Sequence, residues 1–199
     1  MDAADEPQEE ASQPEEIHWP GCGLYAGWML ASTFGTGLGW AAAWWLSFRA
    51  PGALSSLVIG LATGTILGTL QWLALRPYLR RPALWVPLTA LGWGGGFFIG
   101  SLLPNLLGLG EAWLGLAAGA AVGAAAGALQ WLLLRGQVTR AGLWVAASTA
   151  AWASGLLYYR PGVTAFGFLY GALAGIVTGL ALVWLFQRPE GEPSSISGR

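Results

Sequence analysis

Few side chains in this sequence could carry out chemistry. His18 is the only histidine and Cys22 the only cysteine, and their separation of four residues would place them on one face of a helix. Pro20 lies between them and disfavours a helix, so we interpret Cys22 as a structural thiol and His18 as an exposed tail residue. The more specific alternative is that His18 coordinates the metal of a haem or a chlorophyll. Since no Ser/His/Asp or Cys/His set is possible, we predict no catalytic residue, no metal site and no enzymatic activity.

Four neutral side chains are the candidates for contact with a ligand: Trp93, Trp152, Gln71 and Gln130. Each of the two tryptophans lies eight residues beyond another tryptophan, which places it about 12 Å deeper along a helix, where an indole N–H needs a protein partner. The two amides either hold neighbouring helices together or form a paired site for a polar head group. Core packing is the plainer interpretation of the two tryptophans, and hydrogen bonding between helices is the plainer interpretation of the two amides.

The composition points to a bilayer as the solvent of this chain. Of its 199 residues, 55% are hydrophobic and only 10% are charged, whereas about one-quarter of a soluble domain is charged. Seven of the ten acids lie before residue 17, and the nine basic residues are all arginines that mostly flank apolar runs. No charged residue falls in the middle of such a run, which argues against a proton relay or a charged-ion pathway.

Six apolar runs are long enough to cross a membrane, for which a helix needs about 20 residues. Arginine, proline or a polar turn separates each run from the next. We therefore predict an all-α fold, a polytopic transmembrane bundle over residues 21–188, with an acidic disordered tail at 1–20 and a second disordered tail at 189–199. The predicted spans are Leu24–Phe48, Leu54–Leu75, Ala83–Leu103, Ala112–Leu134, Gly142–Tyr159 and Val163–Phe186.

An internal repeat organises these spans. At an offset of 59 residues Gly60–Gly96 aligns with Gly119–Gly155, and 16 of the 37 aligned residues are identical. A third copy follows when loop lengths vary, which gives three helical hairpins at residues 24–75, 83–134 and 142–186. Units of two spans enter the membrane in the same orientation, so we predict a pseudo-threefold bundle about an axis along the membrane normal.

Glycine ladders mark the second helix of each hairpin. We expect these faces to pack against other helices, because a missing side chain allows close backbone approach. The simplest arrangement brings the three ladders together at the axis and leaves the first helices, with Trp85 and Trp144, outside. A flat ligand such as a quinone, carotenoid or lipid tail in the same groove is the alternative. The ladder residues are Gly60, Gly64, Gly68, Gly119, Gly123, Gly127, Gly171, Gly175 and Gly179.

Nine of the other tryptophans, two tyrosines and Glu111 are assigned to the membrane interfaces. One tryptophan lies near the same end of every span, which is typical of an interfacial aromatic belt. We interpret Glu111 as a cap in the first turn of span four. The predicted belt consists of Trp28, Trp72, Trp85, Trp131, Trp144 and Trp184, with Trp44, Trp45, Trp113, Tyr158 and Tyr159 at the other interface.

The arginines predict the orientation. With six spans, one side holds both termini and seven arginines, and the other holds only Arg49 and Arg160. The positive-inside rule therefore places both termini in the cytoplasm, and we expect the chain in a bacterial cytoplasmic membrane.

The segments Gln71–Arg76 and Gln130–Arg135 share the pattern Gln-Trp-Leu-x-Leu-Arg, each followed nine residues after its arginine by a tryptophan, Trp85 or Trp144. In this the chain resembles multi-pass membrane proteins of bacteria, including cyanobacteria and filamentous anoxygenic phototrophs. The resemblance implies a membrane protein without an assigned reaction, and it brings no active site.

Two functions fit these observations. The first is a non-catalytic scaffold or accessory subunit that associates with itself or with a larger membrane complex, without a cofactor and without nucleic acid. The second is a binder or carrier of an uncharged hydrophobic molecule, such as a quinone, a carotenoid pigment or a lipid. Bound small molecules would distinguish the two.

Overall fold

A computed structural model describes residues 21–47, 53–108, 113–155 and 164–187. These residues form six α-helices and no β-strand. The predicted tails, Arg49, Glu111 and Arg160 lie outside the described residues. The helices are α1 (Cys22–Ser47), α2 (Ala53–Leu75), α3 (Trp85–Leu107), α4 (Leu114–Leu134), α5 (Gly142–Gly155) and α6 (Thr164–Phe186), with a short 3-10 turn, Pro82–Leu84, leading into α3.

Proline and glycine define the ends of α3. Pro82 begins the turn that precedes the helix, where its missing N–H is not needed. At the other end the helix continues through Pro104, although the sequence predicts a break there, and it ends at Gly108. Gly108 has φ 65° and donates its N–H to the carbonyl of Pro104, so a left-handed glycine ends the helix one turn after the proline.

Within the described residues, four helices are long and apolar enough to cross a membrane: Leu54–Leu75, Pro82–Pro104, Gly115–Leu134 and Ala165–Phe186. They correspond to α2, α3, α4 and α6. Helix α1 is longer, with 26 residues, but its glycines, hydroxyl side chains and tryptophans lower its mean hydropathy. Helix α5 is described over only 14 residues.

The helices form a closed ring. Each one packs against its neighbours in sequence, and α6 returns to pack against α1. Inside the ring the buried apolar residues divide into two clusters along the length of the bundle, one around Trp28, Trp85 and Trp144 and the other around Trp93 and Trp152.

The glycine ladders of α2, α4 and α6 do not meet one another, so the predicted arrangement at the axis is wrong. Each ladder faces the odd-numbered helix that follows it around the ring. A β-carbon built on Gly64 would lie 2.8 Å from the Cα atom of Ala90 in α3. One built on Gly123 would lie 2.6 Å from Cα of Thr149 in α5, and one on Gly175 would lie 3.0 Å from Cβ of Ser32 in α1. Close backbone approach is therefore used between adjacent helices.

A second row of glycines, which the sequence analysis missed, lies on α3. Gly92, Gly96 and Gly100 face the backbone of α4 so closely that a β-carbon on any of them would collide with it. Both sides of α3 thus touch a neighbour through glycine. The row is not repeated completely in α5, where Ala151 is aligned with Gly92, so the internal repeat did not indicate it.

Candidate functional site

Three indoles meet at the centre of the ring, one from each odd-numbered helix. The ring centroids of Trp28, Trp85 and Trp144 are 5.7 to 5.9 Å apart in all three pairs, mostly edge to face. Each side chain is at most 1% exposed. The prediction that these three belong to an interfacial belt is therefore wrong, because they point inward. Edge-to-face pairs of this kind stabilise by about 0.5–1.5 kcal/mol beyond burial.

Every indole N–H of this central triad donates a hydrogen bond to the preceding even-numbered helix. Trp85 Nε1 donates to Gln71 Oε1 at 3.0 Å, and Trp144 Nε1 donates to Gln130 Oε1 at 2.9 Å. Trp28 Nε1 donates to Thr178 Oγ1 at 2.9 Å, and that hydroxyl donates in turn to its own helix. The central triad is thus satisfied in a place where an unpaired N–H would be costly.

The two glutamines each join three helices. The amide N–H of Gln71 donates to Ser32 Oγ in α1 at 3.3 Å, while its oxygen accepts from α3. Gln130 repeats this arrangement, since its N–H donates to Thr89 Oγ1 in α3 at 2.9 Å while its oxygen accepts from α5. Both ends of each amide are occupied inside the protein, which favours the helix-bridging interpretation over a head-group site.

The third position of this network lacks its glutamine. Ladder alignment places Leu182 where Gln71 and Gln130 stand in the other units. Ser148, the counterpart of Ser32 and Thr89, is buried, and its Oγ has no hydrogen-bond partner. Thr178, one turn earlier on α6, accepts the hydrogen bond from the Trp28 indole instead. The unpaired hydroxyl follows directly from the missing amide.

Trp93 and Trp152 lie in the second cluster and contact each other edge to face, with centroids 4.7 Å apart. They form part of a closed circuit of six aromatic rings in which consecutive centroids are 4.7 to 6.2 Å apart. The order of this circuit is Trp93, Trp152, Tyr170, Phe166, Trp40 and Phe97. The spacing of the two tryptophans predicts their depth in the bundle, but no pattern in the sequence indicates a role for the other four rings.

Two further hydroxyl groups in the buried interior of the bundle have no hydrogen-bond partner. Tyr170 donates its hydroxyl to the carbonyl of Trp152 at 2.8 Å. The hydroxyls of Thr36 and Thr63 are buried without a hydrogen-bond partner. All of these side chains are at most 4% exposed. Neutral unpaired donors in an apolar, ring-lined interior suit an uncharged ligand better than an ion.

The described residues offer little for catalysis. All ten acids and the only histidine lie outside them, and the one thiol, Cys22, is exposed. In this part of the chain no group of three or more His, Cys, Asp or Glu side chains comes together. The structure does bring together Gln71, Gln130 and the central triad. It keeps Trp93 and Trp152 in a separate layer.

Comparison with known proteins adds nothing to these observations. No protein-family model matches the chain, and neither does any curated protein or any solved structure.

Proposed function

We propose that this chain is a non-catalytic membrane scaffold or accessory subunit, built as six transmembrane helices in three repeated hairpins. The hydrogen-bonded central triad carries this proposal. The polar side chains around it join neighbouring helices by hydrogen bonds, which gives a fixed bundle. Many large apolar side chains are exposed on the outside, among them Leu30, Phe34 and Leu38 on one face of α1. Such faces contact lipid or other membrane proteins.

Six spans are supported by the places of α1 and α5 in the ring. Helix α1 lies between α2 and α6, and α5 lies between α4 and α6, so each has neighbours that are apolar enough to span. The 14 described residues of α5 already extend about 21 Å. The pseudo-threefold repeat is supported by equivalent roles: each odd-numbered helix contributes one indole and, one turn later, one hydroxyl, at Ser32, Thr89 or Ser148.

The proposed location is a bacterial cytoplasmic membrane with both termini in the cytoplasm. The five described arginines, Arg76, Arg80, Arg81, Arg135 and Arg140, all lie in the two loops that follow α2 and α4. With Cys22 replaced, single cysteines beside Arg80 or Arg140 should resist an impermeant thiol reagent in intact cells, and one beside Asn105 should react. The opposite pattern would reverse the orientation.

Mass measurement after purification in mild detergent tests the scaffold. The chain alone has a mass of 20.8 kDa, so a scaffold should give a discrete, heavier species of constant stoichiometry. If the α1 face contacts the partner, replacing Phe34 and Leu38 by alanine should weaken the heavier species. Replacing the exposed Leu91 on α3 by alanine is the matched control. A stable monomer with no companion protein would contradict the proposal.

A second candidate is a binder of an uncharged hydrophobic molecule, favoured by the buried aromatic rings around Trp93 and Trp152 and by the unpaired hydroxyls of Thr36 and Thr63. Solvent extraction of the purified protein followed by mass spectrometry would detect a quinone, carotenoid or lipid. A bound molecule at constant stoichiometry that is lost when Trp93 is replaced by Phe would support this function. An extract with only bulk lipid would count against it.

A further inference from the structure

A pocket of about 490 Å³ lies at the arginine-rich end of the bundle, outside the central triad and the aromatic circuit. The loop after α2, the first turns of α3 and the end of α4 form its walls. Arg80, Arg81 and Arg135 line it together with Leu84, Leu88 and Leu132. Its volume falls within the range of small-molecule sites, which is about 300–1,000 Å³.

Hydrogen bonds fix the two loops that carry these arginines. Gln137, in the turn after α4, accepts a hydrogen bond from the backbone N–H of Arg80 at 2.8 Å and donates one to the carbonyl of Leu133 at 2.9 Å. This side chain thus ties the α2–α3 loop to the end of α4. Arg135 is also held in place, because its guanidinium lies over the ring of Trp131, 5.3 Å from the centroid.

The positive charge of the pocket has no partner in the described residues. They contain five arginines and no acid, which gives this part of the chain a charge of +5. Three of the five line the pocket. Side chains rich in donors that match phosphate oxygens, without a carboxylate to neutralise them, form an anion site.

The leucines distinguish this site from one for a free anion. Leu84, in the turn before α3, and Leu132, on α4, are 45% and 46% exposed and line the pocket together with the arginines. A phosphate needs no apolar wall, whereas a phospholipid presents a charged head and an acyl chain to the same place. Basic pockets between helices at the cytoplasmic side bind anionic head groups in this way.

We propose that this pocket, which we name the arginine pocket, binds one anionic glycerophospholipid. Arg80, Arg81 and Arg135 contact the head-group phosphate, and Leu84, Leu88 and Leu132 contact the start of an acyl chain. The proposal rests on the membrane placement given above but not on the scaffold role, because lipid selectivity and companion proteins are separate readouts on the same sample.

Native mass spectrometry of the full chain in mild detergent provides the test, with phosphatidylglycerol and phosphatidylcholine titrated in parallel. We expect one phosphatidylglycerol to bind at least about tenfold more tightly than phosphatidylcholine. Arg80→Gln with Arg81→Gln should weaken phosphatidylglycerol about 25-fold, from about fivefold per arginine. Arg140→Gln is the matched control, because Arg140 lies over Trp184 and outside the pocket, and it should leave binding unchanged.

Three outcomes would overturn the proposal. They are equal binding of the two lipids, an equal loss in the Arg140→Gln control, and inorganic phosphate that competes as effectively as phosphatidylglycerol, which would indicate a free-anion site. Circular dichroism of each variant identifies loss of fold. If the double variant is not helical, Leu88→Asp provides the test instead, because an acid in the apolar wall should abolish phosphatidylglycerol binding, and retained binding would contradict the site.

Discussion

At the scale of the residue, each buried glutamine bonds to two different helices besides its own. Gln71 and Gln130 accept from an indole of the next helix and donate to a hydroxyl of the previous one. Double-mutant cycles put a hydrogen bond between membrane helices at about 0.6 kcal/mol on average and up to about 1.7 kcal/mol. Two such bonds on one amide make it a sensitive point of the bundle.

Replacing Gln130 by Leu tests the strength of this bridge. The change leaves Trp144 Nε1 without an acceptor and removes the donor to Thr89, so we expect a loss of about 1–2 kcal/mol and a lower melting temperature in detergent. The exposed Gln187 at the end of α6 is the matched control for the same substitution. Equal stability of the two variants would show that the bridge has no measurable role.

Leu182→Gln should install the bridge that the third unit lacks. The new amide can donate to the unpaired Ser148 Oγ and accept from Trp28, and we expect a stabilisation of about 0.5–1.5 kcal/mol after the loss of leucine packing. The measurement is a double-mutant cycle with Ser148→Ala, in which the gain should disappear. A Leu182→Gln variant that melts lower than wild type, with or without Ser148, would refute the equivalence of the three units.

At the scale of the element, the two glycines Gly64 and Gly95 should respond in opposite ways to alanine. A β-carbon on Gly64 meets Trp93 Cβ at 2.7 Å and the backbone of α3 at 2.8 Å, whereas Gly95 has nothing within 4 Å. Overpacking should destabilise Gly64→Ala by about 1–3 kcal/mol. Gly95→Ala should be neutral or stabilise by up to about 1 kcal/mol through helix propensity. Similar melting temperatures for both variants would contradict the close packing of α2 on α3.

The sequence predicted the helices well but not the faces they turn inward. The apolar runs gave the ends of α2, α4 and α6 to within a few residues, because length and charge determine where a helix can leave a membrane. The depth of side chains along the helices could also be predicted, since Trp93 and Trp152 do lie in a separate layer from the central triad. The rotation of each helix about its own axis could not be predicted, because a helix that is apolar on every face has no polar side to mark the outside. That is why Trp85 and Trp144 were assigned to lipid.

The sequence indicated several residues of the candidate site but not the hydrogen bonds that join them. From their position near a helix end, Gln71 and Gln130 were predicted either to join neighbouring helices or to form a paired site for a polar head group. Their partners Ser32 and Thr89 each lie one helical turn after a tryptophan, and this spacing alone does not pair them with the amides. The sequence did not indicate that Thr178 accepts the hydrogen bond from Trp28. Thr178 lies one turn before the position that is aligned with the two glutamines, so it does not follow the repeat.

At the scale of the whole molecule, the ring closes through the contact of α6 with α1, the two helices farthest apart in sequence. Gly167, Gly171, Gly175 and Gly179 all face α1, and Trp28 donates to Thr178 across this contact. If α6 lay elsewhere, Trp28 would lose its acceptor and the central triad would open. The account of a closed, internally bonded scaffold therefore depends on this interface.

A disulfide across that interface tests the account most directly. In a chain with Cys22 replaced by Ala, we would introduce Ser32→Cys and Gly175→Cys, whose β-carbons lie 3.0 Å apart, and oxidise with membrane-permeant iodine. A disulfide needs about 3.5–4.5 Å between β-carbons, so a small shift suffices. The control pairs Ser32→Cys with Gly95→Cys, where a β-carbon has no neighbour within 4 Å. We predict that intact membranes give an intramolecular crosslink, seen as a linked peptide by mass spectrometry, for the first pair only. No crosslink in the first pair, or equal crosslinking in both, would contradict the closed ring.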